Sequence, residues 1–419
     1  MTKREFLKNT LSFTAATLIP RMDRLMNEVG DISAYELASN EDFWKQVRAG
    51  YRLKPDYINL ENGYYCIIPT ETLENYINHA REVNYQGSWY MRNMQWKNKD
   101  EVANRLADLV DANHGEVVIT RNTTESLDTI IGGFPWQEGD EAVYAAQDYG
   151  AMKLMFEQVA KKYGVVNKVV SVPNHPTSDD EIVQLYERAI TPQTRLLMVC
   201  HIINITGHIL PIRKICDMAH QKGVEVMVDG AHAVGHFKFS MKELDCDYYG
   251  SSLHKWLSAP LGAGLLFAKK EKTAQVWPRF ADGRTQMDDL RRLNHTGTHP
   301  VHTDLAVGNA LDYLDKLGLE KKEARLRYIQ NYWTDKARNL KNIIVNTPVE
   351  RYRSCGIANV GVKGLKPSEL ANILLEKYKI WTVAIDGHGV HGCRITPNIY
   401  TTLEELDALV VALEELDGE

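Results

Sequence analysis

Between residues 116 and 270 the chain repeats one unit: a short run apolar along its whole length, then a helical stretch, then another apolar run. The runs are residues 116–120 (EVVIT), 141–147 (EAVYAAQ), 167–173 (NKVVSVP), 194–202 (TRLLMVCHI), 224–231 (VEVMVDGA), 246–252 (CDYYGSS) and 262–270 (GAGLLFAKK). A strand with one face in water alternates apolar and polar residues, whereas a strand covered on both faces does not. Such runs, separated by helical segments, specify an α/β protein with a mainly parallel seven-stranded sheet between layers of helices. Helices are expected from about 124 to 133, 151 to 163, 179 to 190 (capped by Ser178 or Asp179) and 211 to 223, where Pro211 suits a first turn.

The flanks differ. Residues 21 to about 110 are polar and helical apart from one aromatic-rich loop. After about residue 300 the spacing predicts a long amphipathic helix over 307–317 that continues past Gly318, and short strands around 357–362. A terminal helix follows, in which Leu403, Leu406, Val410 and Leu413 share a face, the ordinary pattern of core packing. No repeat or low-complexity linker interrupts the chain. The most economical architecture is a large domain over 55–295 and a smaller α+β domain assembled from 21–54 and 296–419.

Charge and cysteine usage narrow the function. A net charge of −6 leaves no basic excess for nucleic acid or an acidic membrane surface. No run of about twenty apolar residues is present to span a bilayer. Cys66, Cys200, Cys216, Cys246, Cys355 and Cys393 form neither a CxxC nor a CxxxH cluster, so neither a metal site nor a disulfide framework is signalled, and buried free thiols are expected. Residues 2–8 (TKREFLK) before 11–19 (LSFTAATLI) have the layout of a twin-arginine export leader with Lys3 in place of the first arginine. The same residues fit an amphipathic helix, so a periplasmic and a cytoplasmic location both stay open.

In an open parallel sheet ligands sit beyond the carboxyl ends of the strands. Those ends carry Asp229, with His232 three residues on, and Lys255, flanked by Ser252 and His254. Asn204 closes the strand before, and Tyr149 ends an earlier one and offers a flat ring. Thr123-Thr124-Glu125 opens a helix, where free backbone N–H groups and the dipole favour a phosphate. A carboxylate, an amine, an aromatic platform and a phosphate cup are together what pyridoxal 5′-phosphate (PLP) requires.

Residues 228–256 (VDGAHAVGHFKFSMKELDCDYYGSSLHKW) resemble the signature of the class V aminotransferase fold, PLP fold type I. That group contains cysteine desulfurases, selenocysteine lyases and isopenicillin N epimerase. NTTES (122–126) resembles its phosphate turn, HIINITG (201–207) its segment with an active-site asparagine, and HTGTHP (295–300) a segment whose threonine reaches a partner subunit's phosphate. CRITPNIYTT (393–402) resembles its segment with a substrate-carboxylate arginine. The resemblance, over roughly 55–415, implies a homodimer with shared active sites. Lys255 would be the Schiff-base lysine and proton carrier, Asp229 the partner of the ring nitrogen, Tyr149 the stacking ring, and His232 a neighbour of the phenolic oxygen. Thr123, Thr124, Ser252, His254 and, from across the dimer, Thr298 would hold the phosphate, with Asn204 also at the cofactor. Arg394 would bind the substrate carboxylate.

A desulfurase of this family carries a nucleophilic cysteine on the loop before that arginine, and residues 379–392 (KIWTVAIDGHGVHG) contain none. HKW at 254–256, Tyr149 in DYGA and the RITPNIY ending look closer to the isopenicillin N epimerase-like branch. The implied activity is chemistry at the Cα of an amino acid, or of an amino-acyl group of a larger, peptidic substrate. Epimerisation, transamination and C–S β-elimination are all open. Tyr64 and Tyr65 in ENGYYC, and Arg92 with Trp89, Tyr90 and Trp96 in GSWYMRNMQW, are candidate substrate contacts, Arg92 as a second anion anchor. His388 and His391 read as solvated loop residues. The reading from another class, an inactive PLP-fold scaffold or regulator, gives no reason for Lys255, Asp229 and Arg394 all to be present.

Overall fold

The computed structural model describes residues 21–283 and 286–418, so the candidate leader over residues 2–20 lies outside the described residues. The apolar runs form β1 (Val117–Thr120), β2 (Glu141–Ala145), β3 (Val166–Val170), β4 (Thr194–Cys200), β5 (Glu225–Asp229), β6 (Tyr248–Ser252) and β7 (Gly264–Ala268). Their order across the sheet is β1-β7-β6-β5-β4-β2-β3. All neighbours from β6 to β3 pair in parallel, and only β7 runs against both β6 and β1. Most of the runs stop pairing about two residues before their apolar pattern ends. Residues such as 201–202 and 230–231 continue into turns that enclose a cavity.

Both faces of the sheet are covered. Ile119, Val143 and Val228 belong to one apolar cluster, whereas their neighbours Val118, Ala142 and Met227 belong to the other. The period of two thus sends successive side chains into separate cores. The edge strand β3 departs from the expectation of complete burial: Val166 is 47% and Val169 56% exposed. Only β2 pairs with it, and its polar Asn167 and Lys168 break the apolar run.

Helices beyond residue 120 include α1 (Thr123–Gly133), α2 (Gly150–Tyr163), α3 (Asp179–Ala189), α4 (Ile212–Gln221), α5 (Val301–Leu317), α6 (Leu319–Ala337), α7 (Pro367–Tyr378) and α8 (Leu403–Gly418). Asn122 caps α1 by accepting the Glu125 N–H at 2.8 Å, and Ser178 caps α3 through the Glu181 N–H at 3.1 Å. The long helix expected to run past Gly318 is two helices. Gly318 has φ +86°, outside helical geometry, and α6 begins only beyond it. In α8, Leu406, Val410 and Leu413 are buried while Leu403 is half-buried.

A second, antiparallel sheet contains β8 (Ile343–Val345), β9 (Ala358–Val362), β10 (Val383–Gly387) and β11 (Val390–Ile395), ordered β10-β11-β9-β8. Ile58–Asn59 pairs in parallel with Ile380–Trp381, and Glu61 bridges Thr396. These pairings lay residues 58–64 against the carboxyl-terminal sheet. Helix α5 packs on the helices Thr70–Gln86 and Gln95–Leu109. All six cysteines are buried and free. Among the described residues no helix is long and apolar enough to cross a membrane, and no three metal-ligating side chains cluster.

Arg325 of α6 ties both chain ends to this framework. Its guanidinium donates to the carbonyls of Ala38 and Thr401 and, through both terminal nitrogens, to the Glu41 carboxylate, and its side chain is fully buried. Arg325→Ala is expected to destabilise the protein by about 3–5 kcal/mol, because it leaves Glu41 and two carbonyls without their donor. Urea unfolding measures this, and a loss below 1 kcal/mol would contradict it.

Candidate functional site

A cavity of about 300 Å³ opens at the carboxyl ends of β1, β4, β5 and β6, a size at the lower end of small-molecule sites (~300–1,000 Å³). The sheet places one functional group at each strand end, and the second sheet adds Arg394 from β11.

Lys255 lies in the connection that reverses the chain between β6 and the antiparallel β7. Its Nζ is 3.0 Å from Nε2 of His232. The other ring nitrogen, Nδ1 of His232, accepts the indole N–H of Trp256 at 3.2 Å. An indole nitrogen only donates, so Nδ1 carries no proton and the neutral ring holds its proton on Nε2. That proton points at Lys255, and only an uncharged amine can accept it. Electrostatics shift the amine toward that form, which is the majority above about pH 8. Burial, with help from Arg394, pulls the Lys255 amine down to about 8, while Asp229 acts in the opposite sense. Burial and then Lys255 hold His232 far below the usual histidine range, so its ring stays neutral. The Trp256 ring is itself fixed by stacking on His236, with centroids 3.7 Å apart.

Asp229 ends β5, buried, with Oδ1 accepting the Ala231 N–H at 3.0 Å. Burial raises its carboxyl group and the Lys255 charge lowers it. Beyond β1, the Thr123 N–H donates to Ser252 Oγ at 3.0 Å, and the two hydroxyl oxygens lie 2.7 Å apart. Thr124 joins them in the wall at the amino terminus of the eleven-residue α1. This cluster of hydroxyls and amides is a suitable cradle for a phosphate. His254 donates from Nδ1 to the Ala263 carbonyl at 3.2 Å, which leaves Nε2 of the neutral ring as an acceptor. Burial and Lys255 hold its pKa down at about 4. Tyr149, the residue before α2, is 49% exposed and forms a flat side wall.

The cavity therefore gathers Lys255, Asp229, His232, Tyr149, Thr123, Thr124, Asn204, Ser252, His254, Arg394 and Tyr64 from separate stretches of the chain. Three expected residues do not line it. Tyr65 is half-buried and does not line the wall. Arg92 is exposed on the short helix Ser88–Asn93, which buries Tyr90 instead. Thr298 is exposed on the loop before α5, outside this chain's own cavity. The loop histidines have partners. His388 Nε2 lies 3.3 Å from Lys153 Nζ, and His391 Nδ1 lies 2.6 Å from the Asp386 carboxylate.

Several site residues were not anticipated. Asn122 opens the phosphate turn and Arg121 precedes it, and Arg121 pairs with Glu125 at 2.9 Å. Cys200 lines the cavity and donates to Asp148 at 3.0 Å, and burial pushes Asp148 up to about 7. Glu61 grips the Arg394 guanidinium, with the shorter contact 2.6 Å, and both side chains are buried. Adjacency to the NTTES and DYG motifs was an available signal for Arg121, Asn122 and Asp148. None existed for Glu61, 333 positions from its partner.

Comparison with known proteins follows the geometry. The model of the class-V aminotransferase family matches residues 68–409. Isopenicillin N epimerase of Streptomyces clavuligerus is 27% identical over 401 residues, which cover 90% of this chain and 99% of that protein. Among solved structures, apo cysteine desulfurase from Thermococcus onnurineus NA1 superposes with a TM-score of 0.79 at 22% identity, over 89% of this chain and 98% of its own. A lysine-to-alanine variant of C-DES with glycine covalently linked to its PLP cofactor gives 0.78 at 18% identity, over 88% and 99%. The last two establish the PLP fold type I architecture.

The hydrogen-bonded chain from Trp256 through His232 makes a testable statement about Lys255. Capture of an aldehyde such as PLP by the apoprotein should rise with pH around a midpoint of about 8. In Trp256→Phe the imidazole is free to place its proton on Nδ1 and to accept from a lysine ammonium. The midpoint should then move upward by roughly one pH unit. A midpoint the substitution leaves in place would show that the indole does not set the tautomer.

Proposed function

This chain belongs to the class V aminotransferases and is a PLP-dependent enzyme, and we propose that it moves a proton at the Cα of an amino acid, or of an amino-acyl group of a larger substrate, in the manner of isopenicillin N epimerase. One observation carries the proposal: the buried Lys255 amine, which burial holds down at about 8, lies 3.0 Å from Nε2 of His232. An amine poised near working pH both accepts and returns a proton efficiently.

The residues present fit the cofactor by donor set. Ser252, Thr123 and Thr124 offer hydroxyls and amides at a helix amino terminus for the phosphate, and Tyr149 offers a flat face for the ring. Asp229, at the end of β5, suits a protonated ring nitrogen, and Lys255 is placed to hold the aldehyde carbon. Bound there, PLP supplies an electron sink for the carbon that loses its proton. Lys255 Nζ then takes that proton and returns it, and accepts from Nε2–H of His232 only while it is the free amine.

The cysteines favour proton transfer over persulfide chemistry. Burial pushes the Cys66 and Cys355 thiols up to about 12 and Cys393 to about 11, and holds Cys200, Cys216 and Cys246 well above the usual range. Cys200, the one that reaches the cavity, spends its proton on Asp148. A thiol protonated at working pH is a poor nucleophile. We also assign the enzyme to a homodimer: the exposed Thr298, Trp89 and Trp96 are then supplied to, or covered by, a second copy.

The test is exchange of the Cα proton of L-amino acids with deuterium from solvent. The holoenzyme should exchange it, and Lys255→Ala should lose the exchange by about 10²–10⁴-fold. Sulfide and alanine formed from cysteine at a comparable rate would overturn the proposal in favour of a desulfurase.

A further inference from the structure

Arg394 faces the cavity, but its charge is already met. Glu61 Oε1 accepts from Nη2 at 2.6 Å and Oε2 accepts from Nε at 3.2 Å, while Nη1 donates to the Asn204 carbonyl at 3.3 Å. The carboxylate is itself held, since Oε1 also accepts the Tyr64 N–H at 2.9 Å. The side chains are only 9% and 7% exposed. The loop that carries Glu61 is bolted to the strand end that carries Arg394. Thr396 Oγ1 accepts the N–H groups of Asn62 and Gly63 at 2.6 and 3.1 Å, and the Asn62 amide donates to the Thr396 carbonyl at 2.7 Å. Gly63 presses bare backbone on the guanidinium: a Cβ there would sit 2.7 Å from Cζ.

A guanidinium has five N–H donors. Glu61 takes one on Nε and one on Nη2, and Asn204 takes one on Nη1, so one remains on each terminal nitrogen. Arg394 lines the cavity and Glu61 does not. The carboxylate thus clamps the arginine from behind and leaves the remaining donors for a ligand. What a ligand meets there is a hydrogen-bond donor whose positive charge is cancelled by a buried neighbour.

We propose that Glu61 is a specificity-determining positioning residue, which converts the Arg394 subsite from a cation that demands a free carboxylate into a neutral donor that also accepts the carbonyl of an amide-linked amino-acyl group. The proposal rests on the Cα chemistry assigned above and deepens it, because it specifies a substrate class in which the carboxyl carbon is bonded to nitrogen. A free carboxylate gains little extra from a neutral pair, whereas it gains strongly from an unpaired buried arginine.

L-Alanine and L-alaninamide are the probes, titrated into holoenzyme and read as apparent Kd from the absorbance of the bound cofactor. In the wild type the two should bind within about tenfold of each other. Glu61→Gln, which keeps the shape and one acceptor oxygen, should shift the ratio toward the carboxylate by about tenfold, equivalent to about 1.4 kcal/mol. Glu61→Asp keeps the charge and should leave the ratio near the wild-type value. A mere loss of packing weakens both ligands alike, so a ratio unmoved in Glu61→Gln overturns the inference even if that variant is less stable. Strong wild-type preference for the carboxylate also overturns it while leaving the Cα proposal intact. A wild type that responds to neither ligand removes the substrate proposal and this inference together.

Discussion

A buried amine held well below its usual range is the constraint around which the site is arranged. Lysine placed in the interior loses hydration, which favours its neutral form. Here the neutral form also has a donor waiting for its lone pair, because Trp256 holds one nitrogen of His232 and leaves the other protonated. The indole is in turn fixed by the His236 stack, and the Trp256 carbonyl accepts from the buried Lys322 Nζ. Each group in this chain has one available role because its neighbour has taken the other.

The scaffold delivers these groups because a parallel sheet ends all its strands on one side. Cys200, Asp229 and Ser252 close β4, β5 and β6, and these strands are neighbours in the sheet. The antiparallel β7 makes the chain turn back immediately after β6, and Lys255 lies in that turn. The second sheet closes the cavity from the other side, as β11 carries Arg394 and the loop after Asn59 carries Glu61 and Gly63. Contacts from opposite ends of the chain, such as Arg325 with Glu41 and Thr401, join the two chain ends on that side.

Much of this was legible in the residues. The apolar runs identified every strand of the large sheet, since a strand covered on both faces has no reason to alternate. Their ends were read about two residues long, because the chain stays apolar where it turns beneath the cavity. The phosphate turn, Asp229 and Lys255 were readable because each falls at a strand end, where fold and chemistry coincide. The helix read through Gly318 failed because apolar periodicity continues across a backbone break that only φ reveals. Arg92 and Tyr65 do not line this chain's own cavity, and an aromatic-rich stretch does not say which of its side chains turn inward.

The sequence by itself determined the sheet, its layered cover, and the kinds of chemical group at the strand ends, because local periodicity and turn chemistry depend on near neighbours. It also supplied the family resemblance. Only the tertiary structure decided the state and the partners of those groups. The tautomer of His232 depends on a ring 24 positions away, and the charge that Arg394 presents depends on a carboxylate 333 positions away. Protonation and charge pairing are set by distances of a few ångströms between chain segments, and those distances exist only after the two sheets have come together.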